Sequence, residues 1–233
     1  MKRALVVAAH GTDSPAGRAV VEGCAAQAGE LLGVPARVGY VDVCEPTLAT
    51  ALGGDPAPVV VPLFLASGYH VRHDVPQAVS ERPGAVVTAA LGTSPAVIEA
   101  LGSRLSQALG PGAPSSRVDA VVLASAGSTQ EAAREEVAEV AGLLADRLRL
   151  PVRVARLSGP GAGMAEVCDA YRSAGRTRVA VASHLLAPGV FLDRARRLGR
   201  DSGAVAVSDA VGSHPAISTL VAARYTSAVG AAA

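Results

Sequence analysis

The sequence predicts an α/β fold made of two homologous βα halves, and three observations carry that prediction. Short β-branched runs alternate with helical patterns along all 233 residues, an order that winds into parallel sheets flanked by helices. Runs such as Val59-Val60-Val61-Pro62-Leu63 are apolar on both faces, as strands covered on both sides must be. The order also repeats. Ala85–Leu101 reads AVVTAALGTSPAVIEAL and Ala204–Leu220 reads AVAVSDAVGSHPAISTL, with a Gly-x-x-Pro signal at Gly92–Pro95 and again at Gly212–Pro215. Leu5–Thr12 is echoed by Val121–Ser128. Such self-similarity marks a duplicated structural unit.

Taken in order, Met1-Lys2-Arg3 leads into the apolar residues Leu5–Ala9, closed by His10-Gly11. This run is too short for a signal-peptide core and reads as the first strand. Arg37–Val43, Val59–Leu63 and Ala85–Ala90 complete a four-stranded parallel sheet; Val118–Ala124, Val152–Leu157, Arg178–Ala182 and Ala204–Val207 form a second. The clearest helix is Gln130–Arg149, where Val137, Val140, Leu143, Leu144 and Leu148 recur at three- and four-residue steps, the spacing of one helix face. The Gly110-Pro111-Gly112-Ala113-Pro114-Ser115-Ser116 stretch gathers breakers without periodicity, so the halves are expected at residues 1–114 and 115–233, with a cleft between them.

Half of the residues are hydrophobic and 18% are charged, enough for a buried core and contrary to disorder. No apolar run approaches the roughly 18 residues of a membrane span. A net charge of +1 and 3% aromatics supply neither the field nor the stacking surface for nucleic acid. Cys24, Cys44 and Cys168 are far apart and form no Cys-x-x-Cys, which excludes a disulfide framework and fits a reducing cytoplasm. Strand alternation turns Cys44 away from the face of Glu45, so a buried thiol is expected there. No P-loop, His-Glu-x-x-His or Gly-x-Ser-x-Gly string occurs, and Gly159-Pro160-Gly161-Ala162-Gly163 lacks the full dinucleotide fingerprint. Nineteen in twenty or so of the basic residues are arginine, Lys2 being the lysine, so position rather than abundance carries the argument.

In parallel α/β sheets, chemistry gathers at the carboxyl ends of the strands. In the first half three metal-capable residues fall there: His10 after the first strand, Glu45 after the second, His70 after the third. Two imidazoles and a carboxylate suit Fe²⁺, Co²⁺, Ni²⁺ or Zn²⁺. Ordinary loop polarity would explain each residue singly, but the repeat tests them as a set. Their counterparts in the second half are Ala126, Gly159 and Phe191, so all three disappear together while the scaffold pattern persists. His73 reads as solvent-facing, Asp74 as a helix start or the partner of an imidazole, and His184 and His214 as structural. Arg194, Arg196, Arg197 and Arg200 cluster after Phe191, on a solvated face by default. The halves also differ in charge: residues 1–115 hold 7 basic and 9 acidic residues, net −2, and residues 116–233 hold 14 and 11, net +3.

These residues carry a resemblance. His10-Gly11-Thr12, Cys44-Glu45-Pro46-Thr47 and Val61-Pro62-Leu63-Phe64-Leu65, continuing to Tyr69-His70-Val71-Arg72-His73-Asp74-Val75-Pro76, resemble the sirohydrochlorin chelatases, class II tetrapyrrole chelatases, over the whole chain and in the long two-half form. Ala9 and Thr12 depart from the glycine and serine common beside that His-Gly, and the histidine-rich segment of many long members is absent. The resemblance implies ATP-independent insertion of Fe²⁺ or Co²⁺, with Ni²⁺ a further candidate, into sirohydrochlorin for sirohaem or cobalamin synthesis. It places the metal-binding and catalytic trio on His10, Glu45 and His70, and it implies no prosthetic group. Ser67 and Gly68 suit close backbone approach to a flat ligand, and Arg194 and Arg197 suit its carboxylates. The other reading that these residues support is a metal or tetrapyrrole carrier without catalysis. Monomer and homodimer are both compatible with the sequence.

Overall fold

The computed structural model describes residues 3–212 and 214–231; Met1, Lys2, Ser213 in the second Gly-x-x-Pro signal, Ala232 and Ala233 lie outside the described residues. The chain runs β1 (Leu5–Ala9), α1 (Pro15–Leu32), β2 (Ala36–Tyr40), α2 (Leu48–Leu52), β3 (Val59–Pro62), α3 (Tyr69–Arg72), α4 (Asp74–Val79) and β4 (Val86–Val87). It continues through α5 (Pro95–Leu109), α6 (Pro114–Arg117), β5 (Ala120–Ser125), α7 (Glu131–Leu148), β6 (Val152–Arg156) and α8 (Met164–Ser173). The last elements are β7 (Val179–His184), α9 (Val190–Asp201), β8 (Ala206–Val207) and α10 (Pro215–Ala231).

Two four-stranded sheets form, ordered β2-β1-β3-β4 and β6-β5-β7-β8, with every pairing parallel. In the first, Leu5 lies opposite both Ala36 and Val59. Leu5 through Ala8 and Val59 through Val61 expose none of their surface, which is why these runs lack polar alternation. Local signals start and stop the helices. At α1, Ser14 Oγ accepts from the Gly17 N–H at 3.2 Å, Pro15 occupies the first turn, and Gly33 closes the helix at φ 61°. No helix among the described residues is long and apolar enough to cross a membrane.

The compact units do not coincide with the sequence halves expected to meet at residue 114. One unit comprises the residues up to Gly92 together with those from Gly212 onward, and the other is Thr93–Val211. The last helix of each half therefore serves the other unit. Helix α10 packs on α1 and β3, where Ser218 Oγ donates to Gln27 Oε1 at 2.9 Å and the Tyr225 hydroxyl donates to the Arg3 carbonyl at 2.6 Å. Helix α5 packs on α7, β7 and β8, and Arg104 Nε donates to the Ala210 carbonyl at 3.1 Å. Each sheet needs helices on both faces, and nothing in a repeated helix states which copy of the sheet it will cover. The repeated Gly-x-x-Pro signals stand where the chain leaves one unit for the other.

Three strand expectations are corrected. Regular β2 ends at Tyr40 rather than Val43, because the Tyr40 N–H turns to the Pro46 carbonyl and Val43 adopts a left-handed φ of 66°. β4 and β8 are two residues each, not the longer runs of apolar residues in the sequence.

Candidate metal centre

The β2-β1-β3 order has a switch point between β1 and β3, the neighbouring strands from which the chain departs in opposite directions. Ligands collect at the carboxyl ends of strands beside such a point. His10 follows β1, and His70 lies in α3 beyond β3. Their rings meet edge to face with centroids 4.5 Å apart and planes at 82°. Asp42, on the loop after β2, completes the group: ligand atoms of His10, Asp42 and His70 all lie within 4.8 Å of one another. Two ligands on one ion at bond lengths of about 2.1 Å sit about 3–4 Å apart. A closure of about an ångström, within side-chain reach, brings the three onto a single ion.

Hydrogen bonds orient each donor. His70 Nδ1 donates to Asp74 Oδ2, one helical turn on, which directs the free lone pair of Nε2 outward, as the carboxylate partners of metal-binding histidines do. The Asp74 expectation is met on both counts, since it also opens α4. His10 Nδ1 donates to the Gly11 carbonyl at 3.3 Å. Asp42 Oδ1 accepts from the Val43 N–H at 2.7 Å. Val43 sits in the left-handed region, an uncommon place for a β-branched side chain; strained backbone of this kind gathers at functional loops. His10 and Asp42 are exposed and His70 is half-buried, so an ion reaches all three from solvent.

The site depends on Gly11. At φ 103° a Cβ there would stand 2.1 Å from the Asp42 carbonyl oxygen, because the Asp42 N–H donates to the His10 carbonyl at 3.0 Å and holds the two loops together. The second unit keeps this frame without the ligands. Gly127 has φ 102°, a Cβ would stand 2.0 Å from the Ser158 carbonyl oxygen, and the Ser158 N–H donates to the Ala126 carbonyl at 3.0 Å. His10 thus matches Ala126, and Asp42 matches Ser158. Tyr40 N–H to Pro46 carbonyl likewise matches Arg156 N–H to Ala162 carbonyl, which sets Glu45 opposite Gly161 rather than Gly159; no carboxylate stands there in either alignment.

Glu45 is outside the cluster of three. Its Oε2 accepts from the Thr47 N–H at 2.7 Å, and it lines a concavity of about 490 Å³ with Asp42, Asp74 and Cys44 among others. Cys44 is half-buried rather than buried, because it lies on the loop past the true end of β2, where strand alternation no longer applies. Tyr40, on the same concavity, has its hydroxyl pushed up to about 12 by burial and then by the Glu22 charge, so it keeps its proton near neutrality. Asp42 escaped the sequence reading for a specific reason: extending the second strand to Val43 placed it inside a strand. Its signal was available, since it is a carboxylate just beyond the strand whose counterpart, Ser158, is not one.

Ser67 and Gly68 stand immediately before α3; the Ser67 carbonyl accepts from Arg72 Nε at 2.9 Å, and Gly68 caps the helix. Arg194 and Arg197 are exposed on α9, while Arg196 pairs with Asp193 and Asp209. The Ala216 N–H donates to His214 Nδ1 at 3.2 Å. His184 ends β7 at 4% exposure, and its Nε2 has no hydrogen-bond partner. Burial pushes its pKa down to about 4, whereas an unfolded histidine titrates near 6.5. Between those values the unfolded chain binds the extra proton. The stability associated with neutral His184 is therefore complete above pH 6.5 and is lost as pH falls towards 4. Urea midpoints at pH 7 and pH 5 should differ for the native chain and differ less for His184→Leu, leucine being the residue of the first half at this place (Leu63). An equal drop in both chains would assign the acid sensitivity elsewhere.

A family model, CbiX, matches residues 4–108 and again residues 120–228. Among curated proteins, the sirohydrochlorin cobaltochelatase of Methanopyrus kandleri is 36% identical over 86 residues, spanning 34% of this chain and 60% of that protein. The match thus covers less than two-thirds of that relative's length. Among solved structures, SirB from Bacillus subtilis with Fe³⁺ matches with a TM-score of 0.81 and 22% identity, over 100% of this chain and 98% of that one. CbiX, the terminal enzyme for biosynthesis of siroheme in denitrifying bacteria, matches with a TM-score of 0.71 and 19% identity, over 97% and 99% of the two chains. At these identities the structural likeness speaks for the two-repeat α/β fold.

Proposed function

The chain belongs to the CbiX family, and from that premise we propose that it inserts a divalent metal ion, iron or cobalt, into sirohydrochlorin without ATP. The observation that carries the reading is the convergence of His10, His70 and a carboxylate at the carboxyl end of one parallel sheet. Insertion requires an ion stripped of part of its water, removal of two pyrrole N–H protons, and a macrocycle held against the ion. Neutral imidazoles are intermediate ligands that hold such an ion and still release it. We assign capture of the ion to His10 and His70, with Asp42 as the carboxylate that shares their cluster. Glu45, a few residues along the same loop, neutralises charge as the ion approaches and accepts a pyrrole proton. The carboxylates of the 42–45 loop and Asp74 favour a dication over an anion in the adjoining concavity. Ser67 and Gly68, both half-buried, supply the small backbone that a flat ligand needs beside His70.

The test is anaerobic incubation of sirohydrochlorin in large excess over protein with Fe²⁺, Co²⁺ or Ni²⁺, following the absorbance change with and without ATP. Many turnovers per chain above the spontaneous rate, unaffected by ATP, are expected. Product limited to one equivalent per chain would identify a carrier instead, and product at the spontaneous rate would reject insertion.

A further inference from the structure

Three of the four tyrosines are buried, and each hydroxyl has a partner: Tyr40 donates to Glu22 Oε1 at 3.5 Å, Tyr171 to the Val121 carbonyl at 3.1 Å, and Tyr225 to the Arg3 carbonyl at 2.6 Å. Tyr69 differs, lying 54% exposed at the first position of α3. Its ring nevertheless has aromatic neighbours. It stacks on the exposed His73 with centroids 4.5 Å apart and planes 28° apart, and it meets the His70 ring edge to face at 6.0 Å. His70 in turn meets His10. Four rings of one unit therefore run without interruption from the candidate metal ligands to a solvent-facing aromatic stack.

A residue that is 54% exposed leaves more than half of its area unburied, surface that folding does not use and a ligand can cover. Orientation matters for binding, because a side chain already restrained loses less freedom when a ligand arrives. Conjugated rings prefer offset-stacked or edge-to-face partners, and both faces of that preference are on offer here. We propose that Tyr69, braced by His73, is the platform on which the conjugated plane of the tetrapyrrole rests while the ion waits on His10 and His70. The 6.0 Å between the Tyr69 and His70 rings is less than the breadth of a four-ring macrocycle, so one ring system can touch both. The platform rests on the function proposed above, and it assigns Tyr69 and His73 to the macrocycle rather than to the ion.

The experiment compares the native chain with Tyr69→Ala, Tyr69→Phe and His73→Ala, using metal-free sirohydrochlorin and Co²⁺ as separate probes. Tyr69→Ala is expected to raise the Kd for metal-free sirohydrochlorin, and the KM for it in insertion, about tenfold, the order of one aromatic stacking contact. Its Co²⁺ titration without macrocycle should match the native chain. Tyr69→Phe should restore macrocycle affinity, and His73→Ala should shift it in the same direction as Tyr69→Ala by a smaller factor. If the native chain binds and metallates sirohydrochlorin and Tyr69→Ala has the same Kd and KM, the platform is wrong and the function stands. If Co²⁺ affinity falls together with macrocycle affinity, Tyr69 acts through His70 and the platform is again wrong. If the native chain binds no sirohydrochlorin, both the function and the platform fall.

Discussion

His70→Ala is expected to weaken Co²⁺ or Fe²⁺ binding and to slow insertion by more than tenfold, and His10→Ala should do the same. Each removes one of the two imidazoles that meet at 4.5 Å, and even the loss of an outer hydrogen-bond partner costs metal sites about 10–100-fold. Asp74→Ala, which frees the His70 ring from its carboxylate, should fall inside that range, with the ligand still present but unguided. The two carboxylates of the 42–45 loop separate by readout. Asp42→Asn should weaken metal binding measured without macrocycle, because Asp42 shares the cluster with both imidazoles. Glu45→Gln should spare that titration and lower the insertion rate. Ala126→Ser, at the place of His10 in the second unit, removes no ligand and should leave metal binding unchanged. Isothermal titration with Co²⁺ and a steady-state insertion assay on the same preparations decide among these. Native affinity in both His10→Ala and His70→Ala would remove the centre from this unit.

Gly11→Ala is expected to destabilise the chain by about 3 kcal/mol or more, while the same change at Gly23 stabilises it by up to about 1 kcal/mol. At Gly11 the added Cβ would stand 2.1 Å from the Asp42 carbonyl oxygen on a backbone with φ 103°, so steric overlap adds to conformational strain. At Gly23, inside α1, a Cβ meets nothing within 4 Å, and alanine simply restricts the unfolded chain and favours helix. Thermal unfolding of the two variants should therefore move in opposite directions. The functional consequence is separable, because relief of the Gly11 overlap must push the Asp42 loop away from His10. Gly11→Ala should lose Co²⁺ affinity even at temperatures where it remains folded, and Gly23→Ala should keep it. Retained affinity in folded Gly11→Ala would show that the loops close on the ion without this glycine.

Much of this architecture is written locally. Runs such as Val59–Val61, apolar at every position, commit themselves to a sheet covered on both faces, and the helix Glu131–Leu148 lies within one residue of its periodicity. The duplication was legible because both copies must meet the same packing demands. It also singles out His10, Glu45 and His70, none of which recurs in the second copy; the structure brings the two histidines together and leaves Glu45 outside their cluster. Other features depend on contacts between residues distant in sequence. Asp42 joined the centre because β2 stops at Tyr40 and Val43 turns the chain, a bend imposed where the loop meets Gly11; strand propensity has no term for that approach. The stack of Tyr69 on His73 depends on the single turn of α3, which brings residues four apart side by side.

The exchange of α5 and α10 shows the same division at the largest scale. Amino-acid order indicates two four-stranded sheets, helical patterns between their strands and the Gly-x-x-Pro signals at Gly92 and Gly212. Partner choice was left open, because α5 and α10 are copies of one sequence pattern. That choice belongs to the folded chain, where contacts such as Ser218 with Gln27, Tyr225 with Arg3 and Arg104 with Ala210 satisfy polar groups that a helix face alone leaves unspecified. Hydrophobic burial is non-directional and tells a helix that it must be covered; directional hydrogen bonds between remote residues tell it by which unit.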